Sequence, residues 1–185
     1  MLAMKRNIMN IKLIIQVREI MKYKVLKKQY TSRYCFVCGE ENEYGVRARF
    51  YELDNGEVAG IFNAPMEHSG YPGRMHGGVI SAIIDEAIGR AILISEPDAF
   101  AVTMELTTKF KKPVPVCKEL KVIGRLTSVN GRVFEGTGEI LLENGEVAVT
   151  GSAKYLKIPL EKIAGESFNE DTVLHHADDV TEIEL

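Results

Sequence analysis

The segment from Gly77 to Ser95 limits most what this chain can fold into. No proline interrupts it, and Ile80, Ile83, Ile84, Ala87, Ile88 and Ala91 recur at helical spacing. With Val79 and Ile92 added, apolar residues cover almost the whole circumference of that helix. A helix of this kind has to be enclosed rather than laid on a surface, so the rest of the chain must wrap it.

The flanking segments are suited to wrapping. Strand-like runs from Val46 to Leu53 and from Glu57 to Asn63 flank Asp54-Asn55-Gly56, and an Asn-Gly step readily takes the positive backbone angles of a hairpin turn. A loop rich in Gly and Pro, Ala64 to Met75, leads to the helix. After Pro97 come strand candidates Phe100 to Phe110, Lys118 to Val129, Arg132 to Leu142 and Glu146 to Ile158, the last three punctuated by Asn130-Gly131 and Asn144-Gly145. Two strands, one buried helix and a four-stranded meander describe an α+β fold. Its antiparallel sheet is long enough to curl around a single central helix, the hotdog arrangement.

At 185 residues, 45% hydrophobic and 26% charged, the chain fits one globular domain. A net charge of -3 hides an asymmetry: residues 1 to 33 carry nine Lys or Arg against Glu19, whereas from Glu161 onward eight acids, Glu170, Asp171, Asp178 and Asp179 among them, stand against Lys162. The expected division is a basic N-terminal extension over 1–33, a core over 34–158 and an acidic tail over 159–185. The basic arm lacks interleaved aromatics, so no nucleic-acid partner is expected, and a solvated extension is the simpler reading. Ile8 to Val17 is apolar but broken by Asn10, Lys12 and Gln16; it is too short to span a bilayer and has no cleavage-site pattern after it. These features lead us to expect a cytoplasmic protein without a membrane partner. Met21 offers an alternative start.

Two glycines, Gly77 and Gly78, open the enclosed helix, preceded by His76. The first turn of a helix has N–H groups without internal partners and a partial positive charge, and Gly lets a ligand approach them closely. Such donors suit a developing oxyanion. Asp85, two turns on, forms with Ser81 a polar stripe on this apolar helix; a buried carboxylate is costly, which makes Asp85 a candidate base or nucleophile. Glu86 competes for that role, but it stands four residues before Arg90 and so has an ion pair to explain it. His76 reads as a positioning or capping residue. No metal or cofactor is expected, since one His and a carboxylate nine residues later do not share a helical face. Cys35-Phe36-Val37-Cys38-Gly39 could be half of a zinc site, which would need further ligands from among Cys117, His68 and His76, or a redox couple; two small residues packing a turn is the plainest reading.

On His76-Gly77-Gly78 and Asp85, the Cys-Phe-x-Cys-Gly segment and the loop His68-Ser69-Gly70-Tyr71-Pro72-Gly73, the chain resembles the PaaI-like branch of the hotdog acyl-CoA thioesterases from about Tyr34 to Ile158. The resemblance implies a homodimer or homotetramer with active sites between subunits and an acyl-CoA substrate. It also implies Asp85 as base or nucleophile, Gly77 and Gly78 N–H groups as oxyanion hole, and a water-holding hydroxyl from Thr107 or Thr108, which face opposite ways on one strand. Some relatives carry Asn or Gln six residues before the His, where this chain has Gly70. Lys109, Lys111, Lys112 and Arg125 are candidates for the CoA phosphates. A hotdog hydratase or dehydratase and a non-catalytic acyl-CoA-binding module are the alternatives to a thioesterase.

Overall fold

In the computed structural model, which describes residues 21–165, 173–175 and 177–185, the hairpin turns fall where the Asn-Gly pairs put them. Gly131 and Gly145 take φ of 59° and 77°, values closed to most side chains. The chain runs β1 (Lys22–Lys28), β2 (Thr31–Ser32), β3 (Arg49–Leu53), β4 (Val58–Asn63), β5 (Ser69–Tyr71) and β6 (Arg74–Met75) before α1 (Gly77–Arg90). It continues through β7 (Ala101–Phe110), β8 (Glu119–Asn130), β9 (Val133–Leu141), β10 (Val147–Lys157), α2 (Leu160–Ala164), β11 (Val173–Leu174) and β12 (Glu182–Glu184). The helix expected to Ser95 ends at Arg90 and tightens into a 3-10 turn over Ala91–Ile94, which satisfies its last carbonyls before Pro97.

Eight strands form one antiparallel sheet in the order β12-β1-β3-β4-β8-β9-β10-β7, curled around α1 in the hotdog arrangement. Two short ribbons, β5 with β6 and β2 with β11, sit apart from it. Ile80, Ile83, Ile84 and Ile88 are buried against Phe62, Phe134 and Ile140 in the main core, as an all-round apolar helix requires.

The charged ends depart from the expected boundaries. Lys22 to Lys28, placed in the N-terminal extension, forms β1 beside β3, and Glu182–Glu184, placed in the tail, pairs with β1 in the register Lys22↔Glu184 and Lys24↔Glu182. Lys28 Nζ stands 3.3 Å from Asp178, and the Tyr51 hydroxyl donates to the same carboxylate at 2.5 Å. The opposite charges of the two ends are therefore cross-strand complementarity. Between them, Ile183 and Leu185 are buried with Tyr51, Leu53 and Ile123 in a second apolar cluster on the outer face of the sheet. The apolar stretch Ile8 to Val17 and the acids Glu170 and Asp171 lie outside the described residues. Among the described residues no helix is long and apolar enough to cross a membrane.

Where α1 crosses the sheet, glycines lie under it. Gly124, Gly138 and Gly151 are register partners across β8, β9 and β10. A Cβ at 124 would collide with the Ala87 carbonyl of α1, and Cβ atoms at 138 and 151 would meet the Ile88 and Ile84 side chains. The contact at 124 is with backbone, which cannot swing away. Gly124→Ala is expected to destabilise the fold by about 3 kcal/mol through overpacking; chemical denaturation of the variant checks this.

Candidate functional site

Asp85 stands half-buried on α1, where the helix faces β7 and β10. The Tyr155 hydroxyl donates to its Oδ1 at 2.9 Å and also reaches the Asp85 main-chain carbonyl at 2.8 Å. The Thr103 hydroxyl lies 3.0 Å from each carboxylate oxygen. Tyr155 is itself fixed, stacked on Phe134 with ring centroids 4.8 Å apart. Burial pushes the Asp85 pKa above the ordinary aspartate value; the hydrogen bonds from Tyr155 and Thr103 oppose that rise, and neighbouring Glu86 adds to it. The Tyr155 hydroxyl is held protonated, by burial first and by the Asp85 charge second. The arrangement is a partly desolvated carboxylate with Oδ1 in reach of both hydroxyls and Oδ2 in reach of Thr103 alone.

Neither Tyr155 nor Thr103 was legible as a partner of Asp85. β7 contains a bulge: Glu105 pairs with Lys154, Thr103 with Tyr155, and Met104 is the extra residue. The bulge reverses the alternation of faces, so Thr103 and Thr108 both point at α1 although they are an odd number of residues apart. Thr108 meets Ser81 Oγ at 3.2 Å, and Ser81 donates to the Gly77 carbonyl at 3.0 Å. Thr107 is exposed, paired with Ser152 on β10.

At the helix N-terminus His76 is the cap: its Nδ1 accepts the Gly78 N–H at 3.0 Å. The Gly78 donor is thus engaged, whereas no hydrogen bond to the Gly77 N–H is found among the described residues. Gly77 borders a cavity of about 620 Å³ shared with Arg74, His76, Phe110, Lys111 and Lys112. Arg74, not singled out in the sequence, joins Lys111 and Lys112 there; Lys112 also pairs with Glu146 at 2.6 Å. Lys109 is exposed on β7. Arg125 borders neither this cavity nor the one at Asp85, being bridged to Glu57 and Glu139 across the sheet.

Asp85 and Tyr155 line a second cavity of about 310 Å³, together with Cys35, Cys38, Glu86 and Arg90. Glu86 Oε1 accepts from Arg90 Nε at 2.8 Å. Arg90 is buried, donates to the Tyr30 carbonyl and to Cys38 Sγ, and stacks over Phe50 with its guanidinium 4.7 Å from the ring centroid. The Cys35 thiol is drawn down to about 7, chiefly by its hydrogen bond with Cys38, while that same bond and burial push Cys38 up. His68, considered as a partner for the cysteines, instead bonds the Tyr44 carbonyl through Nε2 at 2.6 Å.

An antiparallel sheet wrapped on one central helix, with an acid on that helix nine residues after the His that caps it, defines a hotdog-fold domain. Residues 72–149 match the family model described as the thioesterase superfamily. The chain is 27% identical over 116 residues to the acyl-coenzyme A thioesterase THEM4 of Mus musculus, covering 62% of this chain and 49% of that protein. To an uncharacterized protein of Schizosaccharomyces pombe it is 33% identical over 85 residues, 45% of this chain and 48% of the other. It thus spans about half the length of these curated relatives. A solved structure described as a thioesterase superfamily protein superposes with a TM-score of 0.61 at 29% identity, covering 67% of this chain and 63% of that one. The PaaI protein from the phenylacetic acid degradation operon of E. coli shares the fold at a TM-score of 0.55 and 16% identity, over 62% of this chain and 81% of its own.

Because the folded-state pKa of Asp85 lies above the ordinary value, its ionised form opposes folding. That cost is fully present above the folded-state pKa and vanishes as pH falls below the ordinary value of 3.8. Asp85→Asn is therefore expected to be at least as stable as the parent protein near neutral pH, with the gain shrinking towards acid. Thermal unfolding over a pH series measures it.

Proposed function

We propose that this domain hydrolyses an acyl-CoA thioester to the free acid and CoA, with Asp85 as the catalytic carboxylate. The observation that carries the proposal is the pairing of a half-buried acid with two fixed hydroxyl donors on a helix whose N-terminus opens, two turns earlier, beside a basic cavity. The match of residues 72–149 to the thioesterase superfamily model and the name of the THEM4 relative support it, as does the His-Gly-Gly and aspartate spacing of the PaaI-like branch. In this reading Asp85 Oδ2 either removes a proton from water as it attacks the acyl carbon or attacks that carbon itself. The carbonyl oxygen becomes negative and is met by the Gly77 N–H at the positive end of α1. The C–S bond then breaks, and the CoA thiolate leaves and takes up a proton; on the route in which Asp85 is the nucleophile, water then hydrolyses the acyl-aspartyl anhydride, releasing the free acid and restoring the carboxylate. Arg74, Lys111 and Lys112 suit the phosphates of CoA.

Eight residues of α-helix separate Gly77 from Asp85, an axial distance of about 12 Å. One acyl carbon cannot touch both in a single chain. The proposed active site is therefore shared between two copies in a homodimer, or a homotetramer built from such dimers, with Gly77 of one copy facing Asp85 of the other. β7 ends the sheet with Met104 and Phe110 exposed, and it supplies an edge for such pairing.

Released thiol from a panel of short-chain, long-chain and aryl acyl-CoAs tests the reaction. Asp85→Asn is expected to lose about 10²- to 10⁴-fold in kcat, and Glu86→Gln far less. Substrate recovered intact by the parent protein across the panel would overturn the proposal and leave an acyl-CoA-binding module. The pH profile gives a separate check: the acid limb of kcat/KM is expected above the ordinary aspartate value. In Tyr155→Phe, which deletes a hydrogen bond that favours the carboxylate, the limb should move to still higher pH.

A further inference from the structure

We propose that Cys35, Cys38 and Glu86 form a binding site for a thiophilic divalent cation, Zn²⁺ being the ion whose preferences they match. The proposal is independent of the thioesterase reading. The two sulfurs and a carboxylate oxygen all lie within 4.8 Å of one another, the one such cluster among the described residues. Cys35 Sγ stands 3.9 Å from Glu86 Oε2. Zn–S bonds of about 2.3 Å and Zn–O bonds of about 2.0 Å at tetrahedral angles put neighbouring S and O ligands about 3.5 Å apart. The Cys35–Glu86 pair needs an inward movement of about 0.4 Å to reach that separation, and Cys38 Sγ lies within 4.8 Å of both.

Each ligand is already oriented. The turn from Cys35 to Gly39 is held by N–H groups of Val37 and Cys38 that donate to Cys35 Sγ at 3.3 and 3.4 Å. Only glycine fits at 39, because a Cβ there would overlap the Cys35 backbone. Arg90 takes Glu86 Oε1 and leaves Oε2, the oxygen turned to Cys35, for a metal. The same guanidinium donates to Cys38 Sγ at 3.0 Å, the kind of outer contact that fixes a ligand's direction and favours its thiolate form. Two thiolates and one carboxylate bring three negative charges, which one divalent ion and buried Arg90 offset. A dithiol–disulfide couple would use the sulfurs and leave Glu86 Oε2 without a role.

The set is donated by two distant stretches of chain, 51 residues apart at Cys35 and Glu86. Its ion would pin the 35–39 turn onto α1 one residue from Asp85. Three protein ligands leave a fourth position for water, in the cavity that Asp85 also lines.

The test is anaerobic titration of the reduced full chain with Co²⁺, followed by displacement with Zn²⁺. The expected result is one Co²⁺ per chain, with a thiolate-to-cobalt charge-transfer band and the intense visible bands of a four-coordinate ion, all abolished by Zn²⁺. Cys35→Ser and Cys38→Ser should each diminish the charge-transfer band, and Glu86→Gln should weaken binding by at least about tenfold while keeping it. Circular dichroism establishes that each variant is folded; should Glu86→Gln unfold for want of its Arg90 partner, the two Ser variants decide. No thiolate band in the reduced parent protein would overturn the proposal. So would a band unchanged in Cys35→Ser, or a Cys35–Cys38 disulfide that persists in excess thiol reductant.

Discussion

The close approach of α1 to the sheet is what the rest of the structure depends on. At Gly124 the helix backbone itself fills the space a side chain would take, and Gly138 and Gly151 continue the row beneath Ile88 and Ile84. Isoleucine on the helix and glycine on the strands divide one layer of volume between them, with the bulk all on one side. Larger residues on the strands would lift the helix outward and open gaps, since interiors are close-packed and voids forfeit contacts directly. A curled sheet also needs positions where neighbouring strands can bend without side chains colliding on the concave face, and the glycine row provides them.

The same closeness governs the chemistry at Asp85. Gly89, one turn along, leaves room for the Tyr155 ring to lie across the helix, so the phenol reaches both the carboxylate and the main-chain carbonyl of residue 85. Desolvation raises the energy of the carboxylate while the hydroxyls of Tyr155 and Thr103 limit that rise, leaving an acid more basic than a surface aspartate but still a hydrogen-bond acceptor. Glu86, the next residue, has the opposite treatment. Its charge is matched by Arg90 at 2.8 Å, and the guanidinium is in turn held by Tyr30 and Phe50. Two adjacent acids on one helix thus end in different environments because one faces β7 and β10 and the other faces the 35–39 turn.

Much of the fold was legible in the sequence, for physical reasons that can be named. Helical spacing without a polar face announced an enclosed helix, and Asn-Gly steps announced hairpins, because both signals are local. What escaped was set by tertiary partners. The basic arm and the acidic tail each look like solvated charge in isolation; only their pairing, Lys22 with Glu184 and Lys24 with Glu182, converts them into sheet. Thr103 escaped because one extra residue at Met104 shifts which side of β7 faces the helix, and no local rule locates such a bulge. Arg125 reads as a free cation at a strand end until Glu57 and Glu139 are seen beside it. The cysteine pair has no second close Cys or His pair along the sequence, and Glu86, which the fold brings beside it, is already accounted for locally by its ion pair with Arg90.

The two edges of the sheet are managed differently, and the difference bears on the site. β12 is three residues long, flanked by charge and closed by the buried Ile183 and Leu185, which is how edges are usually blunted. β7 is ten residues long and exposes Met104 and Phe110. It is also the strand that brings Thr103 to Asp85 and Thr108 to Ser81, and Phe110 at its end lies over Gly77. An unpaired edge with these features leaves the Asp85 carboxylate partly in water, where its electrostatic effect is weakest. Covering β7 would remove that water and strengthen every interaction at residue 85 at once. The least protected edge of the sheet and the strand that carries Thr103 and Thr108 are therefore the same element, and its burial and the electrostatic environment of the Asp85 carboxylate are physically coupled.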